Sequence, residues 1–259
     1  MATSSTSLRW LNVIAYVSTV LVNSLAGSTS VIGGRNTAEV SDKYPTLITP
    51  AGYVFSIWGI IYILLGIFVV FQALPSERGK EYQNRIGSLF ILSSIFNTMW
   101  LFLWQYESLS LSVVVMFLLL ASLIVTYLNL GIGESQTSLR ERLAVHTPFS
   151  VYLGWITIAS IANVTVTLVS ANWNGLGIAP ETWAVLIIVI ALAITLLMVG
   201  TRKDVAYGLV IIWALVGIAV KQGGQQNIVM MAEAGAVVVA IAEAATLLFR
   251  RTNRAKKLL

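Results

Sequence analysis

Apolar residues run along this chain in eight long blocks that short polar connectors separate. Each block is close to the roughly 20 residues that an α-helix needs to cross the hydrocarbon core of a bilayer. The alternation of apolar and polar residues that would indicate a β-sheet is not visible. The pattern therefore predicts about eight membrane-spanning helices, at residues 10–28, 51–73, 86–106, 110–131, 147–170, 182–200, 205–221 and 228–249.

The composition leads to the same class of protein. Of the 259 residues, 57% are hydrophobic and only 10% are charged, and the mean hydropathy is +0.84. A soluble domain has about a quarter of its residues charged. We predict an all-α, multi-pass integral protein of the cell membrane, with the lipid bilayer as its surroundings.

The residue inventory excludes several chemistries. There is no cysteine and a single histidine, His146. Disulfides, thiolate metal sites and multi-histidine metal sites are therefore excluded. The sequence shows no recognisable pair of a nucleophile and a general base. We therefore predict no catalytic residues of that kind, no metal site and no cofactor.

The placement of charge predicts the orientation. Thirteen of the 16 basic residues lie on one side of an eight-span arrangement, in the N-terminal segment, the even-numbered connectors and the tail 250–257. Arg35, Lys43 and Lys221 lie on the other side. The positive-inside rule then places both termini in the cytoplasm and the connector 29–50 outside. The net charge of +5 is explained by this anchoring, and we predict no nucleic-acid partner.

The first span has two interpretations. Arg9 followed by an apolar run matches a cleaved signal peptide. Against this, the run is long, and Asn12, Tyr16, Thr19 and Asn23 follow one helical stripe that a disposable leader does not need. A retained first helix is favoured, and cleavage stays open.

One aromatic stretch stands out, between residues 50 and 66. It contains Tyr53, Phe55, Trp58 and Tyr62, of which the last three share one helical face. Pro50 suits the first turn of a helix, where its missing N–H costs nothing. Gly59 and Gly66, seven positions apart, form a smooth strip that another helix can approach closely.

Two further spans place polar and aromatic residues on one face. They are Asn97, Trp100 and Trp104 in the third span, and Tyr152, Trp155, Ala159 and Asn163 in the fifth. A side-chain amide in lipid needs a partner, so both asparagines are expected to face other helices or a cavity. Hydrogen bonding between helices and a shared ligand cavity are two interpretations that spacing alone leaves open.

The three motifs together resemble a known family. Pro50 with Trp58-Gly59 and Tyr62, Asn97 with Trp100, and Tyr152 with Trp155, Ala159 and Asn163 follow the order of the translocator protein family. That family is also called TspO/MBR, tryptophan-rich sensory protein or peripheral-type benzodiazepine receptor. The resemblance covers residues 8–172.

The resemblance implies a five-helix bundle with a ligand cavity under the connector between its first two helices. It implies tetrapyrroles such as protoporphyrin IX and haem, sterols or synthetic isoquinolines as ligands, and commonly a homodimer. Trp58, Tyr62, Asn97, Trp100, Trp155 and Ala159 match pocket-side positions. Trp58 and Trp155 match the pair implicated in porphyrin photodegradation.

The chain departs from the family pattern at three places. The family often has a tryptophan just after the proline that corresponds to Pro50, and here Gly52 and Tyr53 stand nearby instead; the connector 29–50 contains no tryptophan. Residues 164–176 contain neither tyrosine nor a basic residue, so the sterol-recognition pattern is absent and cholesterol is disfavoured.

The last three spans lie outside the five-helix architecture, and we predict two domains, 1–172 and 173–259. Glu233 and Glu243 lie inside the last span, where a carboxylate is a functional candidate because burying it is costly. An interfacial salt bridge with Lys221 is the favoured interpretation of Glu233. Glu243 either bonds groups between helices or marks a proton or cation path.

These observations predict a TspO-like five-helix bundle with three appended helices. We expect a membrane sensor, receptor or carrier that binds a flat hydrophobic ligand, with the connector 29–50 as a lid. Two alternatives remain: a secondary transporter that uses Glu243 for coupling, and an enzyme that photodegrades porphyrin.

Overall fold

The fold is all-helical. The computed structural model describes residues 6–28 and 31–256, with side chains for 7–27 and 31–248, and no strand occurs in this part of the chain. Six of its helices are long and apolar enough to cross a membrane, and two more are apolar helices of 17 residues. Seventeen residues span about 25 Å, at the lower end of the membrane-spanning range. The prediction of an all-α multi-pass membrane protein is confirmed.

The chain forms two compact units, Met1–Thr46 with Phe55–Asn172, and Leu47–Val54 with Trp173–Leu259. The short segment 47–54 thus belongs with the last three helices, although it lies in the first half of the chain. The sequence did not indicate this exchange. As functional domains, 1–172 and 173–259 stay a prediction.

The first unit consists of five long helices and three short ones. They are α1 (Thr6–Ser28), α2 (Thr37–Lys43), α3 (Ile57–Ala73), α4 (Glu81–Ile86), α5 (Leu89–Gln105), α6 (Leu109–Leu130), α7 (Leu139–Glu141) and α8 (Thr147–Ser170). Helix α5 packs on α1 and α6, and α8 packs on α6 and α3. A π-helical turn, Arg142–His146, leads into α8.

A cluster of three phenylalanines fills part of this unit. The ring of Phe68 lies 5.2 Å from those of Phe90 and Phe149, in both cases edge to face. All three side chains are fully buried. Such pairs contribute about 0.5–1.5 kcal/mol each beyond the burial of area, so this cluster holds α3, α5 and α8 together.

The helix that carries the aromatic stretch begins later than the sequence predicted. Pro50 does not start it: a 3-10 helix covers Gly52–Ser56, and α3 begins at Ile57. Pro50 is buried and lies before the 3-10 turn, because the preceding segment packs in the second unit instead of continuing the helix.

The second unit consists of α9 (Pro180–Arg202), α10 (Val205–Lys221) and α11 (Gln226–Lys256) together with the segment 47–54. Pro180 stands in the first turn of α9, a position that tolerates proline. The Asp204 side chain accepts a hydrogen bond from the Tyr207 backbone nitrogen and caps α10. The side chains of the basic tail 250–257 lie outside the described residues.

Helix α10 receives the segment 47–54. The Ala51 nitrogen donates to the Gly217 carbonyl at 3.0 Å, and the Trp213 indole donates to the Val54 carbonyl at 3.2 Å. Val54 and Pro50 occupy the space that a side chain at Gly217 would fill. The segment is therefore held by one backbone–backbone hydrogen bond, one hydrogen bond from an indole side chain, and close packing.

Helices α10 and α11 approach each other at Gly208. The Glu243 carboxyl of α11 lies where a side chain at Gly208 would lie, and a Cβ there would also come within 3.2 Å of Val199 Cγ2. Glycine is thus required at this position because there is no room for a side chain. Backbone conformation is not the reason, because the φ of Gly208 is that of the helix.

We predict that Gly208→Ala destabilises the second unit by about 1–3 kcal/mol, the usual cost of adding a methyl group to a packed interior. Gly200→Ala in α9 is the matched control, because a Cβ there meets nothing within 4 Å and alanine favours a helix. Unfolding followed by circular dichroism in detergent measures both. Equal stability of the two variants would contradict the close approach.

Candidate functional site

The first unit contains an aromatic cluster around Trp58. Its ring stacks on Tyr62 at 5.7 Å and on Trp100 at 5.8 Å, with interplanar angles of 16° and 30°. It meets Tyr152 at 6.2 Å and Trp155 at 6.1 Å, both edge to face. These five residues, from α3, α5 and α8, are called the aromatic cluster below.

Helical spacing builds the cluster. Trp58 and Tyr62 are one turn apart on α3, and Trp100 stacks on Trp104, one turn further along α5, at 5.8 Å and 26°. Phe55 meets Trp155 edge to face at 5.9 Å. The one-face spacing that the sequence showed is thus realised as ring contacts.

Burial is uneven within the aromatic cluster. Trp155 and Tyr152 are 2% exposed and Trp100 is 3% exposed, whereas Trp58 and Tyr62 are only half-buried. The α3 side is therefore the more accessible edge. In this arrangement the rings fill the space among themselves, so a flat ligand must separate Trp58 from its neighbours to stack between them.

One of the two predicted asparagines serves helix packing. The Trp100 indole donates to the Asn163 side-chain oxygen at 2.9 Å, and the Asn163 amide nitrogen donates to the Ser112 hydroxyl at 2.8 Å. Ser112 in turn donates to the Leu109 carbonyl at 2.7 Å. This chain of bonds links α5, α6 and α8, which is the interhelical interpretation left open by the sequence.

The other asparagine is only half satisfied. The Asn97 side-chain oxygen accepts from Asn23 of α1 at 2.8 Å, and the residue is 0% exposed. The Asn97 side chain lies within weak hydrogen-bonding reach of the Tyr62 and Tyr152 hydroxyls. Even so, its nitrogen forms no hydrogen bond of normal geometry to any described residue.

Two more buried polar atoms at the aromatic cluster share this condition. Within the described part of the chain, the Trp155 indole nitrogen and the Tyr62 hydroxyl have no hydrogen-bond partner. Leaving a buried donor unpaired costs about 1–3 kcal/mol. The Trp155 indole N–H is thus available to a molecule that carries acceptor atoms, whereas the Asn97 amide and the Tyr62 hydroxyl are in weak contact with each other.

The first helix contributes to the cluster, which the sequence did not specify. Tyr16 donates to the Tyr62 carbonyl at 2.9 Å, and Gly66 leaves room for the Tyr16 hydroxyl. Asn12 donates to Gln72 at 3.0 Å. The polar stripe of the first span was visible in the sequence, but its partners were not. Close approach at Gly66 is confirmed, whereas nothing lies within 4 Å of a Cβ at Gly59.

Of the remaining predicted site residues, Tyr53, Glu233 and Glu243 belong to the second unit, whereas Ala159 follows the aromatic cluster on α8. Tyr53 belongs to the second unit, where it packs edge to face on Trp213 at 5.3 Å. Ala159 is half-buried on α8, one turn after Trp155. Glu233 is exposed and Glu243 is buried, both on α11 of the second unit.

Trp104 joins the aromatic stack to the connector. Its indole nitrogen donates to the Thr37 carbonyl at 3.1 Å, at the start of α2. Helix α2 has a capping box, in which the Asn36 side chain accepts from the Glu39 nitrogen and the Glu39 side chain accepts from the Asn36 nitrogen. The sequence predicted a lid here but missed this helix, whose signal was the Asn36-to-Glu39 spacing.

A carboxylate fastens the same connector. Glu107, in the turn between α5 and α6, accepts from Arg35 at 2.9 Å, from Tyr44 at 2.6 Å and from Lys43. Its φ is 55°, which aims the side chain out of the turn at a cost in backbone strain. We call Glu107 with Arg35, Lys43 and Tyr44 the connector latch.

The fold and the site define a multi-pass α-helical membrane protein whose first unit is built around an interhelical aromatic cluster. A family model described as TSPO-like protein matches residues 9–245, and the chain belongs to that family. The matched range includes most of the last three helices, whose status as an extension stays a prediction. Searches among curated proteins and among solved structures found no match.

The connector latch predicts a defined pH dependence. The hydrogen bond from Lys43, and then that from Tyr44, lowers the pKa of Glu107 below its usual 4.5. The hydrogen bond to Glu107 raises the pKa of Lys43 above its usual 10.5. The latch is therefore complete between these usual values. It is lost as pH falls through the lowered pKa of Glu107, and as pH rises through the raised pKa of Lys43.

We expect Glu107→Gln to speed amide hydrogen exchange of residues 36–44 roughly threefold at neutral pH, because an exposed ion-pair network contributes modestly. The variant keeps a side chain of the same shape but loses both ion pairs. Glu81→Gln is the control, since the Glu81 pair with Arg85 does not touch the connector. Unchanged exchange in Glu107→Gln would show that the latch does not hold the connector.

Proposed function

We propose that this protein is a membrane sensor, receptor or carrier that binds a flat hydrophobic ligand of the tetrapyrrole class at the aromatic cluster. One observation carries the proposal: Asn97, Trp155 and Tyr62 present buried polar atoms without described partners beside stacked aromatic faces. In a bilayer such groups are costly unless a ligand or another helix satisfies them.

The chemistry of the cluster fits this ligand class. Indole and phenol rings offer wide faces on which a planar macrocycle stacks. The Asn97 amide and the Trp155 indole are hydrogen-bond donors, which suit the carboxylate edge of a porphyrin. Trp58, the half-buried ring with four ring neighbours, turns aside to admit the macrocycle and then covers it.

The connector supports a gating role. Its helix α2 is tied to the aromatic stack through Trp104 and to the α5–α6 turn through the connector latch. Loosening the latch exposes the end of the stack that Trp104 covers. We therefore propose that the connector controls access of ligand from the predicted outer side.

A second candidate function is photodegradation of bound porphyrin. The observation that favours it is the direct edge-to-face contact of Trp58 and Trp155 at 6.1 Å and 84°, since these are the positions that match the family's implicated pair. Degradation of porphyrin in light that requires both tryptophans would support this function. Binding without turnover in light and dark would exclude it.

We also propose that the protein forms a homodimer, as the resemblance implies.

We predict that purified protein binds protoporphyrin IX saturably, and that Trp155→Phe weakens binding about tenfold, the equivalent of one hydrogen bond to a charged group. Quenching of tryptophan fluorescence during titration measures this. Trp10→Phe is the matched control, because Trp10 is 62% exposed and lies outside the aromatic cluster.

Asn97→Leu provides a second readout, since it removes an amide donor without removing an aromatic ring. We expect it to weaken binding by a similar factor. Linear quenching that is identical in wild type, Trp155→Phe and Trp10→Phe would mean partition of the porphyrin into the micelle, and the proposal would fail.

A further inference from the structure

The second unit buries a carboxylic acid that the aromatic cluster does not use. Glu243 of α11 is 5% exposed, although it lies within a membrane-spanning helix. Its counterpart ten positions earlier, Glu233, is exposed. The same helix thus carries one carboxyl that is open and one that is enclosed by protein.

Glu243 is packed closely against α10 and α9. Its Oε1 atom occupies the space left by Gly208 of α10, beside the Val199 side chain of α9. Among the described residues, Glu243 Oε1 has no hydrogen-bond partner.

The charged groups around Glu243 do not offer compensation. Asp204, which caps α10, is an acidic side chain that disfavours a second negative charge at Glu243. Arg202 and Lys203 belong to the same α9–α10 turn, and α11 itself contributes Glu233 further along. Within the described side chains, none of these cations forms an ion pair with Glu243.

An ionised carboxylate in this position is therefore expensive. Removing it from water in a low-dielectric environment costs several kcal/mol or more unless a cation pairs with it. A neutral acid avoids that cost and still fills the space at Gly208. The geometry thus fits the protonated form of Glu243 and strains the charged form.

We propose that Glu243 is a proton-binding site in the second unit, and that its protonation state controls the packing of α11 against α10. The neutral acid fits the glycine recess, and loss of the proton drives the helices apart. This site lies in a different unit from the aromatic cluster, so it stands or falls independently of the proposed porphyrin binding.

Reaction with dicyclohexylcarbodiimide tests the proposal on the wild-type chain. This apolar reagent reacts covalently with protonated carboxyl groups in membranes, and mass spectrometry of the peptides locates the adduct. We expect an adduct at Glu243 and little at Glu233, the matched control on the same helix. Above the pH at which the proton is lost, labelling of Glu243 should fall about tenfold per pH unit.

Thermal unfolding of Glu243→Gln gives a second measurement. Glutamine resembles the neutral acid, so we expect the midpoint at neutral pH to be unchanged or raised. We expect the midpoint of wild type to fall in alkaline buffer and that of the variant to stay constant. Labelling of the wild-type chain does not depend on whether the variant folds.

Three outcomes would overturn the proposal. They are an unlabelled Glu243 throughout the pH range, a Glu243→Gln midpoint well below wild type at neutral pH, and protection of Glu243 from the reagent by sodium but not by choline at equal ionic strength. The first two would indicate an ionised carboxylate that is paired. The third would make the site one for a metal cation instead of a proton.

Discussion

The structure depends on one constraint: inside a bilayer, each polar side chain must find its partner within the protein. The bond from Trp100 to Asn163, and from there to Ser112, shows the constraint met, because one asparagine ties three helices together. Asn23 and Asn97 do the same for α1 and α5. In a unit held mainly by apolar contacts, which do not distinguish protein from lipid, these bonds fix which helices are neighbours.

The same constraint distinguishes side chains that serve helix packing from candidate ligand-binding side chains, although the two kinds look alike in sequence. Asn97 and Asn163 are both buried amides on aromatic faces, but Asn163 is bonded through both of its atoms while Asn97 keeps a free nitrogen. Likewise, the Trp100 indole forms a hydrogen bond, whereas the Trp155 indole has no partner among the described residues. Buried polar atoms without a described partner occur elsewhere as well, for example at Tyr82 and Gln105. What marks the candidate binding site is that such atoms lie beside stacked aromatic rings.

Much of the fold could be read from the sequence, since eight apolar blocks became eight apolar helices with ends shifted by a few residues. One-face spacing predicted that Trp58, Trp100 and Trp155 each face other helices or a cavity, but the contacts between their rings were left open. The start of α3 could not be predicted, because Pro50 packs at Gly217 and Tyr53 packs on Trp213, both far along the chain. The role of Trp104 was likewise hidden, since its partner is a backbone carbonyl of the connector. Periodicity reports which face a residue occupies, but not which distant segment covers that face.

The segment 47–54 shows that the two compact units are not consecutive pieces of the chain. In sequence it directly precedes Phe55 and α3, but in space it is bound to α10 by the Gly217 and Trp213 contacts. A chain truncated after residue 172 would lose the partners of Pro50, Ala51 and Val54. A cut between residues 172 and 173 therefore divides the second unit, and the segment 47–54 would keep none of these contacts.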